Sequence, residues 1–76
     1  TTIEFSLAED AAVEISIYNV KGQKIRALVQ GEYEAGIHHV IWNGKNEAGR
    51  SVASGVYFYQ MRTGQYQTIQ KMLLLK

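Results

Sequence analysis

Alternation of apolar and polar residues with a period of two is the feature that most constrains how this chain folds. Ile3, Phe5 and Leu7 alternate with polar residues, and the segment VEISI at residues 13–17 repeats the pattern. This period is typical of β-strands that bury one face and expose the other. Since no segment shows a convincing 3.6-residue period, the sequence predicts an all-β domain.

Glycine residues separate the alternating segments, and the chain contains no proline. Glycine adopts positive φ angles without a steric cost, so it would supply most of the turn geometry, and Gly22 is one position where we expect it. About seven short strands with such turns fit into one small domain that occupies residues 1–76. The pattern predicts an immunoglobulin-like or fibronectin III-like β-sandwich of about seven antiparallel strands.

Four local expectations accompany this fold. Tyr18 and Val20 are out of phase with the strand before them, so either both faces are covered there or a bulge shifts the register. Residues 30–36 are expected to form a loop, and residues 51–53 a short extended segment. The apolar run at residues 72–75 is expected to be buried on both sides near the end of the last strand.

The composition excludes several classes of function. Hydrophobic residues make up 46% of the chain and charged residues 20%, which is ordinary for a globular domain. The net charge of +1 offers no electrostatic basis for binding nucleic acid or an anionic membrane. The absence of cysteine excludes a disulfide scaffold and a thiol nucleophile. No apolar run approaches the roughly 20 residues of a membrane helix, so membrane insertion is not expected.

The loop WNGKNEAGR, after the fourth predicted strand, is the candidate metal site. Asn43, Asn46 and Glu47 carry oxygen ligands of the kind that calcium binds, but a calcium loop usually supplies several carboxylates. The alternative is that the two asparagines form Asx turns while Gly44 and Gly49 adopt positive φ. The segment resembles neither a P-loop nor a dinucleotide fingerprint. We therefore predict turns here, with no metal and no cofactor.

The sequence contains no arrangement typical of a catalytic centre. His38 and His39 are adjacent in a predicted strand and would point to opposite faces, so they cannot converge on one ion. No serine lies in a nucleophile-elbow context, and Ser54 is more simply a turn residue. Glu9 and Asp10 are expected to form a solvated loop rather than a catalytic pair. The chain is therefore predicted not to be an enzyme.

Four aromatic residues have two possible roles. Trp42, Tyr57, Phe58 and Tyr59 could form a carbohydrate-binding platform on an exposed sheet face, or they could pack in the core. Tyr57 opens a strand directly after a turn, where its hydroxyl can bond back to the main chain, as in a tyrosine corner. The prediction favours the core for Trp42 and Tyr57 and leaves the other two open.

The C-terminal segment places four apolar residues between two lysines. It fits a strand with a charged end that discourages aggregation through the sheet edge. It equally fits a tag that another protein recognises, and physical arguments alone do not separate the two interpretations. The candidate recognition residues are Lys71, Met72, Leu73, Leu74, Leu75 and Lys76.

Three blocks, ISIYNVKGQKIRALV, AGIHHVIWNGKNEAGRSVASGVYFYQM and KMLLLK, occur in an order that resembles the FlgD-type immunoglobulin-like domain of flagellar hook-capping proteins. More closely, the chain resembles the form found at the C-termini of secreted bacterial proteins, the type A sorting domains of type IX secretion. The usual acids of the family's loop are Asn43 and Asn46 here, and the proline-rich lead-in is missing. The residues expected to be structural are Tyr18, Gly22, Gly36, Trp42, Gly44, Gly49, Gly55 and Tyr57.

This resemblance implies a non-catalytic module at the C-terminus of a larger secreted or cell-surface bacterial protein. Its partner would be the outer-membrane translocation machinery, which would use the module for sorting or surface anchoring. Two alternatives stay open: a spacer that stabilises a neighbouring catalytic domain of the same chain, and a carbohydrate-binding accessory domain. A flagellar hook-assembly scaffold is disfavoured by the KMLLLK terminus.

Overall fold

The computed structural model describes residues 1–64 and 66–75, and these residues form antiparallel strands without a helix. The described residues therefore include no helix that could span a membrane. The all-β immunoglobulin-like sandwich predicted from the sequence is confirmed, with six strands. The strands are β1 (Thr2–Leu7), β2 (Ala11–Tyr18), β3 (Lys24–Tyr33), β4 (Gly36–Ile41), β5 (Gly55–Arg62) and β6 (Gln67–Leu74).

The six strands form two sheets of unequal size. In the smaller sheet β1 pairs with β4, and in the larger sheet the order is β3-β2-β5-β6. All pairs are antiparallel, and β5 pairs with β6 along the full length of both strands. Strands β3 and β6 are therefore the two edges of the four-stranded sheet, and each has one side that no other strand occupies.

The core lies between the two sheets, and the alternating residues supply it as predicted. Ile3, Phe5 and Leu7 of β1 face inward and are at most 7% exposed. Ile15 and Ile17 of β2 are completely buried opposite them. Burial of these aliphatic and aromatic side chains is the main favourable contribution to folding in a domain of this size. The rest of the buried core consists of Val13, Val29, Trp42, Tyr57, Met61 and Leu74.

Strand β2 shows one of the two alternatives that the phase change near Tyr18 and Val20 predicted, a shift of register. The pairing between β2 and β3 shifts register after Ile15 and again after Ile17, as a β-bulge does. The other alternative, that both faces are covered there, is wrong, because Val20 is 68% exposed.

One prediction about local structure is wrong, and the described residues form six strands rather than about seven. Residues 30–33 belong to β3 rather than to a loop, because their backbone continues to pair with the first residues of β2. The polar residues there indicated a loop, but an edge strand can expose both of its faces. The segment at residues 51–53, expected to be short and extended, contributes only an isolated bridge from Ser51 to Lys45.

The sequence NVKGQ at residues 19–23 suits the geometry of the turn between β2 and β3. Gly22 has a φ of 81°, the positive value expected from the sequence. The Asn19 side-chain oxygen accepts hydrogen bonds from the main-chain amides of Lys21 and Gln23 at 2.9 and 3.0 Å. This Asx-type arrangement stabilises the turn and joins β2 to β3.

Tyr57 connects the core to the loop that precedes its own strand. Its hydroxyl donates a hydrogen bond of 2.7 Å to the main-chain oxygen of Ala53. Its ring packs edge-on against Trp42, with ring centroids 5.1 Å apart. Both aromatic residues are buried, as predicted, and the hydroxyl bonds back to the main chain in the manner of a tyrosine corner.

We expect Tyr57→Phe to lower the free energy of unfolding by about 1 kcal/mol, because it removes the hydroxyl and leaves the Ala53 oxygen without this donor. Urea unfolding monitored by Trp42 fluorescence measures the change. Tyr59→Phe is the matched control, since the Tyr59 hydroxyl makes no hydrogen bond within the described residues. Equal stability of the Tyr57→Phe protein and the wild type would contradict the prediction.

Candidate functional site

The loop between β4 and β5 uses its side-chain oxygens to bind its own backbone. The Asn43 oxygen accepts a hydrogen bond from the Lys45 amide at 3.2 Å. The Asn46 oxygen accepts two bonds of 3.0 Å, from the amides two and four residues further along. Gly44 and Gly49 have φ angles of 74° and 81°. The predicted Asx turns and positive φ angles are confirmed, and residues 1–64 and 66–75 contain no group of three or more potential metal-ligating side chains.

Glu47 in the same loop has a role that the sequence did not reveal. Its amide donates to the Ile25 oxygen at 3.0 Å, and its carboxylate accepts a hydrogen bond from the Ala27 amide at 2.9 Å. Glu47 therefore satisfies a carbonyl and an amide on the open side of β3, much as a neighbouring strand would. The contact joins residues about 20 positions apart, so no local motif could indicate it.

The two histidines point to opposite faces of β4, as predicted. The His38 ring stacks on Phe5 with centroids 5.3 Å apart, and its Nε2 donates to the Glu34 oxygen at 2.6 Å. His39 is exposed, and its Nε2 lies 3.7 Å from the Glu4 carboxylate. One ring thus belongs to the packing of the sandwich and the other to its surface, and they share no ligand-binding site.

The loop between β1 and β2 is also tied into the fold. Asp10, which was expected to be solvated, is exposed, and its carboxylate accepts a hydrogen bond of 2.8 Å from the Ala35 amide. This bond connects the β1–β2 loop to the turn between β3 and β4. The acid therefore fixes the relative positions of two connections, which is a structural use of its carboxylate.

The outer face of the four-stranded sheet, which points away from the core, is the candidate recognition surface. Strand register places Lys24, Tyr18, Phe58 and Lys71 side by side across β3, β2, β5 and β6. Two partly buried aromatic rings therefore lie between two exposed lysines. No second layer of the described structure covers this face.

An apolar groove runs beside this row of residues. Tyr18, Val20, Phe58 and Ile69 form most of its lining, and its volume is about 410 Å³. Val20 and Ile69 are 68% and 63% exposed. Large apolar side chains that remain exposed next to each other are typical of a surface that binds another molecule.

Strand β6 alternates between the core and this outer face. Met72 is half-buried and Leu74 only 5% exposed, whereas Ile69 and Leu73 are 63% and 55% exposed. The prediction that residues 72–75 are buried on both sides is therefore wrong. The physical reason is that β6 lies at the edge of a sheet whose outer face has no covering layer, so only every second side chain reaches the core.

The predicted recognition residues are consequently divided between two environments. Lys71, Leu73 and Leu75 are exposed, with Leu75 77% exposed directly after the end of β6. The two residues that alternate with them face the core. Lys76 lies outside the residues that the structure describes.

An ion pair lies on the outer face at the C-terminal end of β5. Arg62 of β5 donates to the carboxylate of Glu14 of β2 at 2.7 Å, where strand register places the two residues opposite each other. The hydrogen bond and the charge of Arg62 hold the pKa of Glu14 below its usual value. The charges on this part of the face are thus paired within the sheet, unlike the charge of Lys71.

The fold defines a small immunoglobulin-like β-sandwich module. The chain belongs to the FlgD Ig-like domain family, whose family model matches residues 1–67. Most of β6 follows the matched residues. No curated protein matches the chain.

Glu47→Ala should expose the Ala27 amide, because the substitution removes its hydrogen-bond acceptor. We expect this amide to exchange with solvent about fivefold faster, as loss of a typical hydrogen bond implies. Amide hydrogen exchange followed by NMR measures it. Glu47→Gln is the control, since its amide oxygen can still accept the bond, and equal acceleration in both variants would refute the assigned role.

The ion pair predicts a dependence of stability on pH. Because the pKa of Glu14 is lowered by folding, the pair stabilises the protein at neutral pH, and this contribution is lost as the pH falls through the folded-state pKa. Glu14→Gln should therefore lower the melting temperature slightly at about pH 7 and leave it unchanged near about pH 2. Thermal unfolding at both pH values measures the difference.

Glu32→Gln provides the comparison for this experiment. Glu32 is exposed on β3 and forms no ion pair with a described residue. Its substitution should not reproduce the pH-dependent difference. A Glu14→Gln protein that melts like the wild type at both pH values would show that the pair does not contribute to stability.

Proposed function

We propose that this domain is a non-catalytic module through which the outer-membrane secretion machinery recognises a secreted parent protein, for sorting or surface anchoring. The observation that carries the proposal is the exposed outer face of β6. Ile69, Leu73 and Leu75 are each more than half exposed on or directly after one edge strand. Membership of a family of small immunoglobulin-like domains supports a binding role rather than catalysis.

The distribution of apolar side chains supports recognition on β6. Single exposed apolar residues are common on protein surfaces, but several on one strand beside an apolar groove are typical of an interaction site. On β6, Ile69 lines the groove together with Tyr18, Val20 and Phe58. The last strand and the sheet face beside it thus form one surface of the kind that another protein can cover.

The same surface fits a second candidate function, a spacer that packs on a neighbouring domain of its own chain. In that case, deleting the module should lower the melting temperature of the parent protein without changing its destination. The carbohydrate-binding alternative loses two of its four aromatic candidates, because Trp42 and Tyr57 are buried and cannot present their rings to a sugar.

Export of a reporter tests the proposal. The domain is fused to the C-terminus of a periplasmic reporter in a bacterium that has type IX secretion. We expect the wild-type fusion to reach the cell surface or medium, and a fusion lacking residues 66–76 to remain in the periplasm. Since that deletion also removes a core strand, Ile69→Thr combined with Leu73→Thr is the more specific variant, and we expect it to be retained as well.

The matched control changes two equally exposed residues on the other sheet. Ile37 and Ile41 lie on the outer face of β4 and are 66% and 72% exposed. Ile37→Thr combined with Ile41→Thr should leave export unchanged, and thermal unfolding verifies that both double variants fold. Normal export of the deletion or of the β6 double variant would overturn the proposal.

A further inference from the structure

Strand β6 has an open side to which another strand can bind. Within the described structure it pairs only with β5. The amides and carbonyls of every second residue point to its other side, where they have no strand partner. The opposite edge of the sheet differs, because Glu47 occupies an amide and a carbonyl of β3 at Ala27 and Ile25. An extended segment of another chain can therefore continue the sheet at β6, the mode of binding known as β-augmentation.

The outward side chains of β6 specify what such a segment should carry. Ile69, Lys71 and Leu73 lie in sequence on the outer face, so the strand presents a cation between two apolar residues. Lys71 makes no ion pair with any described residue. Directly opposite side chains on neighbouring strands stabilise each other when their charges are opposite and destabilise each other when the charges are alike.

A second copy of this chain fits the pattern poorly. If two β6 strands paired in antiparallel fashion with Ile69 of one opposite Leu73 of the other, symmetry would place Lys71 opposite Lys71 of the partner copy. The register that best matches the apolar residues therefore brings two like charges together. The charge pattern favours a different chain with a carboxylate at that position.

We propose that β6 binds an extended segment of a partner protein as an added strand, and that this segment places a carboxylate opposite Lys71 between two apolar side chains. The apolar residues of the segment would lie beside Ile69 and Leu73, and its carboxylate would lie beside the ammonium group of Lys71. This inference rests on the proposed function, since it names the chemistry by which the same strand is recognised.

Two synthetic peptides with blocked ends test the proposal. The acidic peptide is Thr-Ile-Thr-Glu-Thr-Ile-Thr, and the basic peptide has lysine in place of glutamate. Each is titrated to millimolar concentration into ¹⁵N-labelled protein. We expect the acidic peptide to bind about fivefold more tightly than the basic one, with chemical-shift changes and slower amide exchange concentrated in Gln67–Leu74.

Charge reversal provides the decisive comparison. Lys71→Glu should reverse the preference, so that the basic peptide binds more tightly. Lys24→Glu is the matched control, because Lys24 lies in the same cross-strand row at the opposite edge of the sheet, and this change should preserve the preference for the acidic peptide. Thermal unfolding verifies that both variants are folded.

Several results would overturn the inference. These are equal binding of both peptides, absence of binding at millimolar concentration, an unchanged preference in Lys71→Glu, or chemical-shift changes at β1, β3 or β4 instead of β6. Concentration-dependent dimerisation through β6, detected by sedimentation of the free wild-type domain, would also overturn it, since a second copy would then occupy the edge.

The peptide and export experiments can fail independently. If export depends on the outer face of β6 but neither peptide binds, the sorting function stands and the acidic added strand is wrong. If the acidic peptide binds as expected but export does not depend on β6, the edge-binding chemistry stands and the sorting function is wrong.

Discussion

Burial of Trp42 is the constraint on which the rest of the structure depends. The side chain is completely buried against Tyr57, and its Nε1 donates a hydrogen bond of 2.9 Å to the Lys45 oxygen. The Tyr57 hydroxyl holds Ala53 at the other end of the same loop. Both ends of the loop between β4 and β5 are thus attached to the core, so the loop has a defined position although it contains no strand. In this position Glu47 lies within hydrogen-bonding distance of β3.

The attached loop makes the two edges of the four-stranded sheet chemically different. At the β3 edge, Glu47 satisfies main-chain groups of Ile25 and Ala27, which reduces what another strand could bind there. At the β6 edge, the outward side chains are those of Ile69, Lys71 and Leu73. They place one positive charge there but do not cover the open side of the strand. A single lysine discourages pairing with a copy of the same strand, yet it permits pairing with a strand of complementary charge. Selectivity at this edge can therefore arise from one side chain.

The sequence predicted those parts of the structure that depend on short-range patterns. Alternation identified the buried face of β1 and β2, and local turn chemistry identified Asn46 and Gly22 as turn residues. The extension of β3 to Tyr33 was missed because an edge strand exposes residues on both faces and so lacks the apolar alternation of a half-buried strand. The role of Glu47 and the exposure of Leu73 were missed because both depend on which strands are neighbours, and this is a property of topology.

The alternation of side chains along β6 places the residues that stabilise the domain and the residues proposed for recognition on opposite faces. On β6, Met72 and Leu74 face the core, whereas Ile69 and Leu73 face outward and contribute little to the isolated domain. Full burial of an Ile or Leu side chain stabilises a structure by roughly 1.5–3 kcal/mol, so a partner that covers the two outward residues gains free energy that folding alone does not use. Under the proposed function, substitutions at the outward positions change the binding of the partner while the buried residues of the core stay the same.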